Sequence, residues 1–179
     1  MNLSNESALV EAVLFLESDP VDKSTLARIC ALSDDIVLAA IAELQKRYGE
    51  SGSGLMIDEI AGGFLIIPRA DLWERLKSRY GKKNETSLSR AALETLSVIA
   101  YSQPVTRSEI ENFRGVSPDG MIRLLLSKTF IKVVGKKDVP GRPSQYGTTA
   151  DFLKIFRLSS IADLPRLDEL NEERFELDG

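Results

Sequence analysis

The chain has 179 residues, 43% apolar and 28% charged, with a net charge of −4, one cysteine and no histidine; this is the composition of a soluble globular protein of one large or two small domains. Without imidazole, and with Cys30 set in the apolar pattern of "LARICAL", disulfides, thiolate zinc clusters and histidine-based triads or metal sites are excluded, and the thiol reads as buried packing. No apolar run reaches the roughly 18–20 residues that span a bilayer, and the start "MNLSNESALVEAV" has no basic leader segment, so a cytoplasmic protein is expected.

The chain opens on an apolar helix at 7–18. It then reaches Pro20-Val21, a short second helix with Asp22 as its candidate cap, and a third helix that Ser33 starts ahead of "DDIVLAAIAELQKRY". A hairpin follows in "LMIDEIAGGFLIIP", with Gly62-Gly63 as the expected tight turn. A further helix covers 70–80, "ADLWERLKSRY".

The same order then returns. With Pro20 laid over Pro104, an offset of 84, eight of 37 positions are identical between the two stretches beginning at Ala8 and Ala92, and most others keep apolar over apolar. Helix 90–102 leads to Pro104-Val105. "TRSE" (Thr106 to Glu109) has the form of a capping box, and Ser117 with Pro118 at the first helical position opens the next helix. The second hairpin is "FIKVVGKKDVPGRPSQYGTT". There Pro140-Gly141 fits the centre of a type II turn, and the residue before Pro143 is expected to be extended. Helix 150–156 comes next, then Ile161, Leu164 and Leu167 as an apolar staple ahead of an acidic end. Three helices followed by a two-stranded hairpin is the winged-helix variant of the helix-turn-helix plan. The expected fold is therefore mainly α with small β-hairpins (α+β), arranged as two tandem winged-helix domains.

Motifs that suggest catalysis fail on context. "GESGSG" (49–54) follows a helix and precedes a strand, the reverse of the strand-loop-helix order of a dinucleotide site, and neither "GKKNETS" nor "GKKDVPGRPS" has phosphate-loop spacing. Asp58 and Glu59 are neighbours on a strand and point to opposite faces. Asp34 and Asp35 suit the first turn of a helix. No catalytic residue, metal ligand or cofactor is expected.

Charge divides the two copies. Residues 1–80 carry 8 basic and 13 acidic groups, 88–158 carry 11 basic and 6 acidic, and 159–179 carry 2 basic and 7 acidic. The first copy should be repelled by phosphate. The second offers Arg123, Lys128, Lys132, Lys136 and Lys137 for weak, salt-dependent DNA contact, but no row of Arg, Asn or Gln for reading bases. The opening helices are apolar around most of their circumference, through Leu9, Val10, Val13, Leu14, Phe15 and Leu16 in one and Leu93, Leu96, Val98, Ile99 and Tyr101 in the other. Such surplus serves either burial between neighbouring helices or a protein partner.

The blocks "ALETL…IAY-QPVTR-EIE--RGV" and "PGRP--YGTT", with "LFLESDPV" and "GGFLIIPR" in the first half, closely resemble the segregation and condensation protein B family over roughly 8–170. Gln145 and Phe130 depart from the family's wing block. The resemblance implies a non-catalytic accessory subunit of the bacterial SMC–kleisin complex, nucleoid-associated and without ATPase activity of its own. It implies a homodimer formed chiefly through the first domain, bound to the middle of the kleisin, segregation and condensation protein A, and through it to the SMC ATPase. The expected division is 1–81 as an N-terminal winged-helix domain for dimerisation, 82–87 as linker, 88–158 as a C-terminal winged-helix domain for kleisin binding, and 159–179 as an acidic tail. Kleisin contact is expected through Leu96, Ile99, Tyr101, Arg107, Arg114, Arg142 and Tyr146, since Arg and aromatic side chains are typical interface anchors. The alternative is a tandem winged-helix DNA-binding transcriptional regulator.

Overall fold

The computed structural model describes residues 3–80 and 88–165. The linker 82–87, Leu167 and the acidic residues beyond Pro165 lie outside the described residues. Contacts divide the chain into two compact units, Met1–Ser87 and Leu88–Gly179.

The first unit contains α1 (Ser4–Leu16), α2 (Lys23–Cys30), α3 (Asp34–Glu50), β1 (Leu55–Ile60), β2 (Gly63–Pro68) and α4 (Ala70–Tyr80). Local chemistry sets most boundaries. The Asp22 carboxylate accepts from the Thr25 backbone N–H at 2.9 Å to start α2, and Ala31, in the left-handed region at φ 54°, ends it. Ser33 caps α3 through the Ile36 N–H, with Asp34 and Asp35 in the first turn, where the helix dipole favours them. Val10, Leu14, Leu26, Val37, Leu44 and Ile57 lie in the core, with Cys30 beside them. Burial pushes the thiol's pKa up, which keeps it neutral and unreactive.

The hairpin turn falls one residue earlier than the glycine pair suggests. Ile60 pairs with Gly63, so the turn is Ala61-Gly62, at φ 53° and 74°. Gly63 is occupied otherwise. A Cβ there would sit 2.9 Å from the Pro20 backbone carbon and 3.0 Å from Val21, where Val21 and Phe64 exchange backbone hydrogen bonds. That close approach requires glycine at 63 and fixes the register.

The second unit contains α5 (Arg90–Ser102), β3 (Val105–Thr106), α6 (Arg107–Arg114), α7 (Asp119–Ser127), β4 (Ile131–Lys136), β5 (Ser144–Thr148), α8 (Ala150–Phe156) and a 3₁₀ turn at Ile161–Asp163. Its core gathers Leu96, Ile99, Ile110, Leu125, Phe130 and Phe152. The sheet has three strands, ordered β3-β5-β4, where a two-stranded hairpin was expected. Its extra strand pairs Val105 with Tyr146, echoing the Val21–Phe64 bridge of the first unit. Gln145 and Phe130, the two departures from the family block, both have work here. The Gln145 amide donates to the Pro104 carbonyl at 3.3 Å, and Phe130 is buried.

Three further details differ from expectation. Asp119, not Pro118, is the first residue of α7. Ser117 does not cap it, because its hydroxyl donates to Asp119 and accepts from Arg107. In the β4–β5 turn, the Arg142 N–H donates to the Val139 carbonyl and Gly141 has φ 84°, as a type II turn requires. Arg142 itself, however, is at φ 39° and not extended before Pro143. Of the apolar staple, Leu164 packs on the core whereas Ile161 is exposed.

The offset of 84 superposes α2 on α6 residue for residue, including their left-handed ends at Ala31 and Gly115. It fails by one in the opening helices. Buried Ser7, Val10 and Leu14 of α1 correspond to buried Ala92, Thr95 and Ile99 of α5. Among the described residues, no helix is long and apolar enough to cross a membrane and no cluster of three metal-ligating side chains occurs.

Candidate partner interface

Polar side chains in the second unit converge where α6 starts. The Thr106 backbone N–H and hydroxyl both donate to one Glu109 carboxylate oxygen, at 2.8 and 2.7 Å, and the Glu109 N–H returns to the Thr106 hydroxyl. This is the capping box that the sequence predicts. The other Glu109 oxygen accepts from the Lys137 ammonium, at 2.5 Å, at the base of the wing turn. Lys137 foremost, then Thr106, hold the Glu109 carboxyl down at a pKa of about 2. Next to it Arg107 grips Asp119 through two nitrogens and Glu111 through a third, at 2.9 Å. This bidentate hold lowers the Asp119 pKa and raises that of Arg107.

A second feature lies between α5 and α6. A groove of about 580 Å³ is lined by Arg90, Leu93, Glu94, Val98, Phe113 and Arg114, with Ser97 on its wall. Arg90 and Arg114 share the single Glu94 carboxylate, at 3.2 and 3.3 Å. The Arg114 side chain is only 10% exposed, and its buried Nε–H has no acceptor among the described residues. Phe113, by contrast, is 67% exposed.

The residues expected to meet a kleisin are not brought together as one patch. Leu96 and Ile99 are 2% and 0% exposed and belong to the core, so in this fold they offer no surface to a partner. Tyr146 is half-buried against the same core. Tyr101 is exposed along its ring, and its hydroxyl donates to the Pro165 carbonyl at 2.7 Å. Arg107 is engaged by Asp119 and Glu111. Arg142 is exposed at the wing turn, and Arg114 is in the groove. Among the residues expected to touch DNA, Arg123, Lys132 and Lys136 are exposed, Lys128 is half-buried, and Lys137 is committed to Glu109. Leu93 is among the apolar residues of α5 to which the sequence points, whereas Arg90, Glu94 and Phe113 become candidates only in the structure. Their signal was faint: apolar and charged residues spaced three and four apart on one helix, opposite the end of another.

In the first unit, α1 exposes Phe15 at 74% and Leu16 at 81%, with Leu9 and the small Ala8 and Ala12 on the outer side. With only Ser7, Val10 and Leu14 buried, the helix leaves a second, apolar face open to solvent.

The sequence profile of the family described as "Segregation and condensation complex subunit ScpB" matches residues 8–167. The chain belongs to that family. Segregation and condensation protein B of Syntrophotalea carbinolica is 43% identical over 92% of this chain and 83% of its own length. The protein of that name from Desulforamulus reducens is 42% identical over 92% of this chain and 90% of its own. A crystal structure described as a dimer of the ScpB N-terminal domain complexed with ScpA peptide is 29% identical, over 44% of this chain and 98% of that one, with a TM-score of 0.41. As a ScpB family member, this chain works as a subunit of the complex that segregates and condenses the chromosome.

Proposed function

We propose that this protein is the non-catalytic accessory subunit of a bacterial SMC–kleisin complex, a homodimer that holds the central part of the kleisin and acts at the nucleoid. The family match across 8–167 carries the reading. The order of elements in each unit, three helices then a hairpin then a helix, supports two tandem winged-helix domains, at 1–81 and 88–158, joined by 82–87. Exposed Phe15, Leu16 and Leu9 support dimerisation through the first domain, because an apolar helix face this open in water is best covered by a second copy. The kleisin is assigned to the second domain. A dimer of two-domain chains gives a long segment several docking points, and modest contacts then add through effective concentration.

The transcriptional-regulator alternative is disfavoured. The α3 surface begins with Asp34 and Asp35, and β1 carries Asp58 and Glu59. The second wing supplies Lys132, Lys136 and Arg142 as exposed cations, enough for weak phosphate contact that fades with salt. Arg123 and Lys128 add to that field, and Lys137 is spent on Glu109. The test is capture of the tagged chain from nuclease-treated extract of its own cells. The expected result is stoichiometric kleisin together with a large coiled-coil ATPase. Recovery of the chain alone, with nanomolar and sequence-selective duplex binding in parallel, would establish the alternative.

A further inference from the structure

We propose that the α5–α6 groove of the second unit seats an acidic, amphipathic segment of the kleisin, whose carboxylate joins Arg90 and Arg114 while its apolar side chains cover Leu93 and Phe113. The proposal rests on the reading above and adds the place and the chemistry of docking.

Charge is the first argument. Two guanidinium groups share one carboxylate in the groove, leaving an excess of one positive charge beside an apolar wall. Arg114 is nine-tenths buried, yet its Nε–H is unpaired among the described residues, and a buried donor without an acceptor is unfavourable and uncommon. A second carboxylate would balance the pair. A bare anion would not explain the rim, where Phe113 and Leu93 are both exposed apolar side chains. An acidic residue flanked by aliphatic or aromatic ones answers both features, as amphipathic segments do in grooves.

The internal repeat supplies the second argument. In the first unit Cys30 stands where Arg114 does, Ile29 where Phe113 does, and Asn5 and Leu9 where Arg90 and Glu94 do, once the one-residue slip of α1 is allowed for. The same arrangement of helices therefore closes without any of the three charges. Packing does not demand Arg90, Glu94 and Arg114, so their presence in one unit calls for a task outside the fold. The exposed Phe113 gives that task an apolar anchor.

Titration of the intact chain with purified kleisin tests this. Phe113→Glu and Arg90→Glu alter the rim only, and each should weaken binding at least tenfold with an unchanged melting temperature. Arg114→Met, an apolar replacement of similar length, should fold normally and bind at least tenfold more weakly. Lysine in place of the docking carboxylate on the kleisin should weaken binding to the unaltered chain and restore it to Arg90→Glu. If the unaltered chain binds kleisin and both rim variants bind within twofold of it, the groove is not the seat, and the adaptor reading stands. If the unaltered chain binds no kleisin, the adaptor reading itself fails and takes this proposal with it. If Phe113→Glu keeps full kleisin affinity but changes the oligomeric mass, a second copy covers the groove, and the proposal fails. If it keeps full affinity but lowers the melting temperature only while residues 166–179 are present, the chain's own end covers the groove, and the proposal fails equally.

Discussion

The two units carry the same plan with different surfaces. Their second helices, α2 and α6, superpose residue for residue and both end in a left-handed residue. Yet α2 ends on a buried Cys30, and α6 ends on an arginine tied to a carboxylate. Their opening helices differ in the same sense: α1 exposes Phe15 and Leu16, whereas α5 exposes Arg90, Leu93 and Glu94 around its groove. The third helix shrinks from 17 residues in α3 to 9 in α7, and the bridge at Val21 becomes the paired strand β3 at Val105. A core of this kind accepts several surfaces, and each unit's task is written in those surfaces.

The largest effects are expected in the two cores. Leu96→Ala should cost about 2–5 kcal/mol, as should Leu14→Ala in the other unit, because both leave cavities among fully buried neighbours. Denaturant titration followed by circular dichroism would measure each. Kleisin affinity after Leu96→Ala should be lost only in proportion to the unfolded fraction; a larger loss would return Leu96 to the interface.

The glycines sharpen the contrast in the hairpins. Gly63→Ala drives a methyl into the backbone of Pro20 and Val21, which cannot turn aside, and should destabilise by about 1–3 kcal/mol. Gly147→Ala meets the Gln103 Oε1 at 2.9 Å and the Val134 side chain at 3.0 Å. Val134 can rotate, but that Oε1 accepts from the Thr148 N–H and hydroxyl at 2.8 and 3.1 Å. The methyl therefore disturbs a bonded side chain and not backbone, and should destabilise by about 1 kcal/mol. Equal midpoints for the two variants would show that the wings are held alike.

On the surface, the double change Phe15→Glu and Leu16→Glu should weaken self-association at least tenfold, about 1.4 kcal/mol, without altering the melting temperature of the monomer. Sedimentation across a concentration series would read it. Tight dimers in that variant would move the dimer contact away from α1.

The smallest effect concerns acid. Glu109 titrates at about 2 in the folded chain against an ordinary 4.5, so its contribution to stability is complete above about pH 4.5 and is lost as the pH falls toward 2. Glu109→Gln should therefore lower stability at neutral pH and flatten its dependence between pH 4.5 and 2, the two curves meeting at the acid end. At the matching position the first unit has Thr25, which does not titrate there; its acid-sensitive cap is Asp22, whose carboxyl pKa the Thr25 hydrogen bonds lower.

Most helices could be read from local residues because their signals are local. Helices α4, α5 and α8 lie at 70–80, 90–102 and 150–156 as expected, and the Thr106–Glu109 box and the Asp22 and Ser33 caps are all in place. What could not be read depends on distant partners. Strand β3 has two residues, too few for any periodicity, and exists because Tyr146 is opposite Val105. The turn at Ala61-Gly62 is displaced from the Gly62-Gly63 pair because Val21, some forty residues back along the chain, needs the space at Gly63. Leu96 and Ile99 looked like surface because α5 is apolar around much of its girth, and nothing in the string says which side faces the core. Arg114 is legible as an interface candidate, but the groove is not, because only the fold sets Glu94 across from it.

Thr106 ends β3 and caps α6, and Glu109 ties that cap to Lys137 at the wing. Together with the Arg107–Asp119 clasp onto α7, these bonds make wing, α6 and α7 a braced truss in place of three hinged parts. A tug on the wing tip would be carried straight into the end of α6, where Phe113 and Arg114 border the groove.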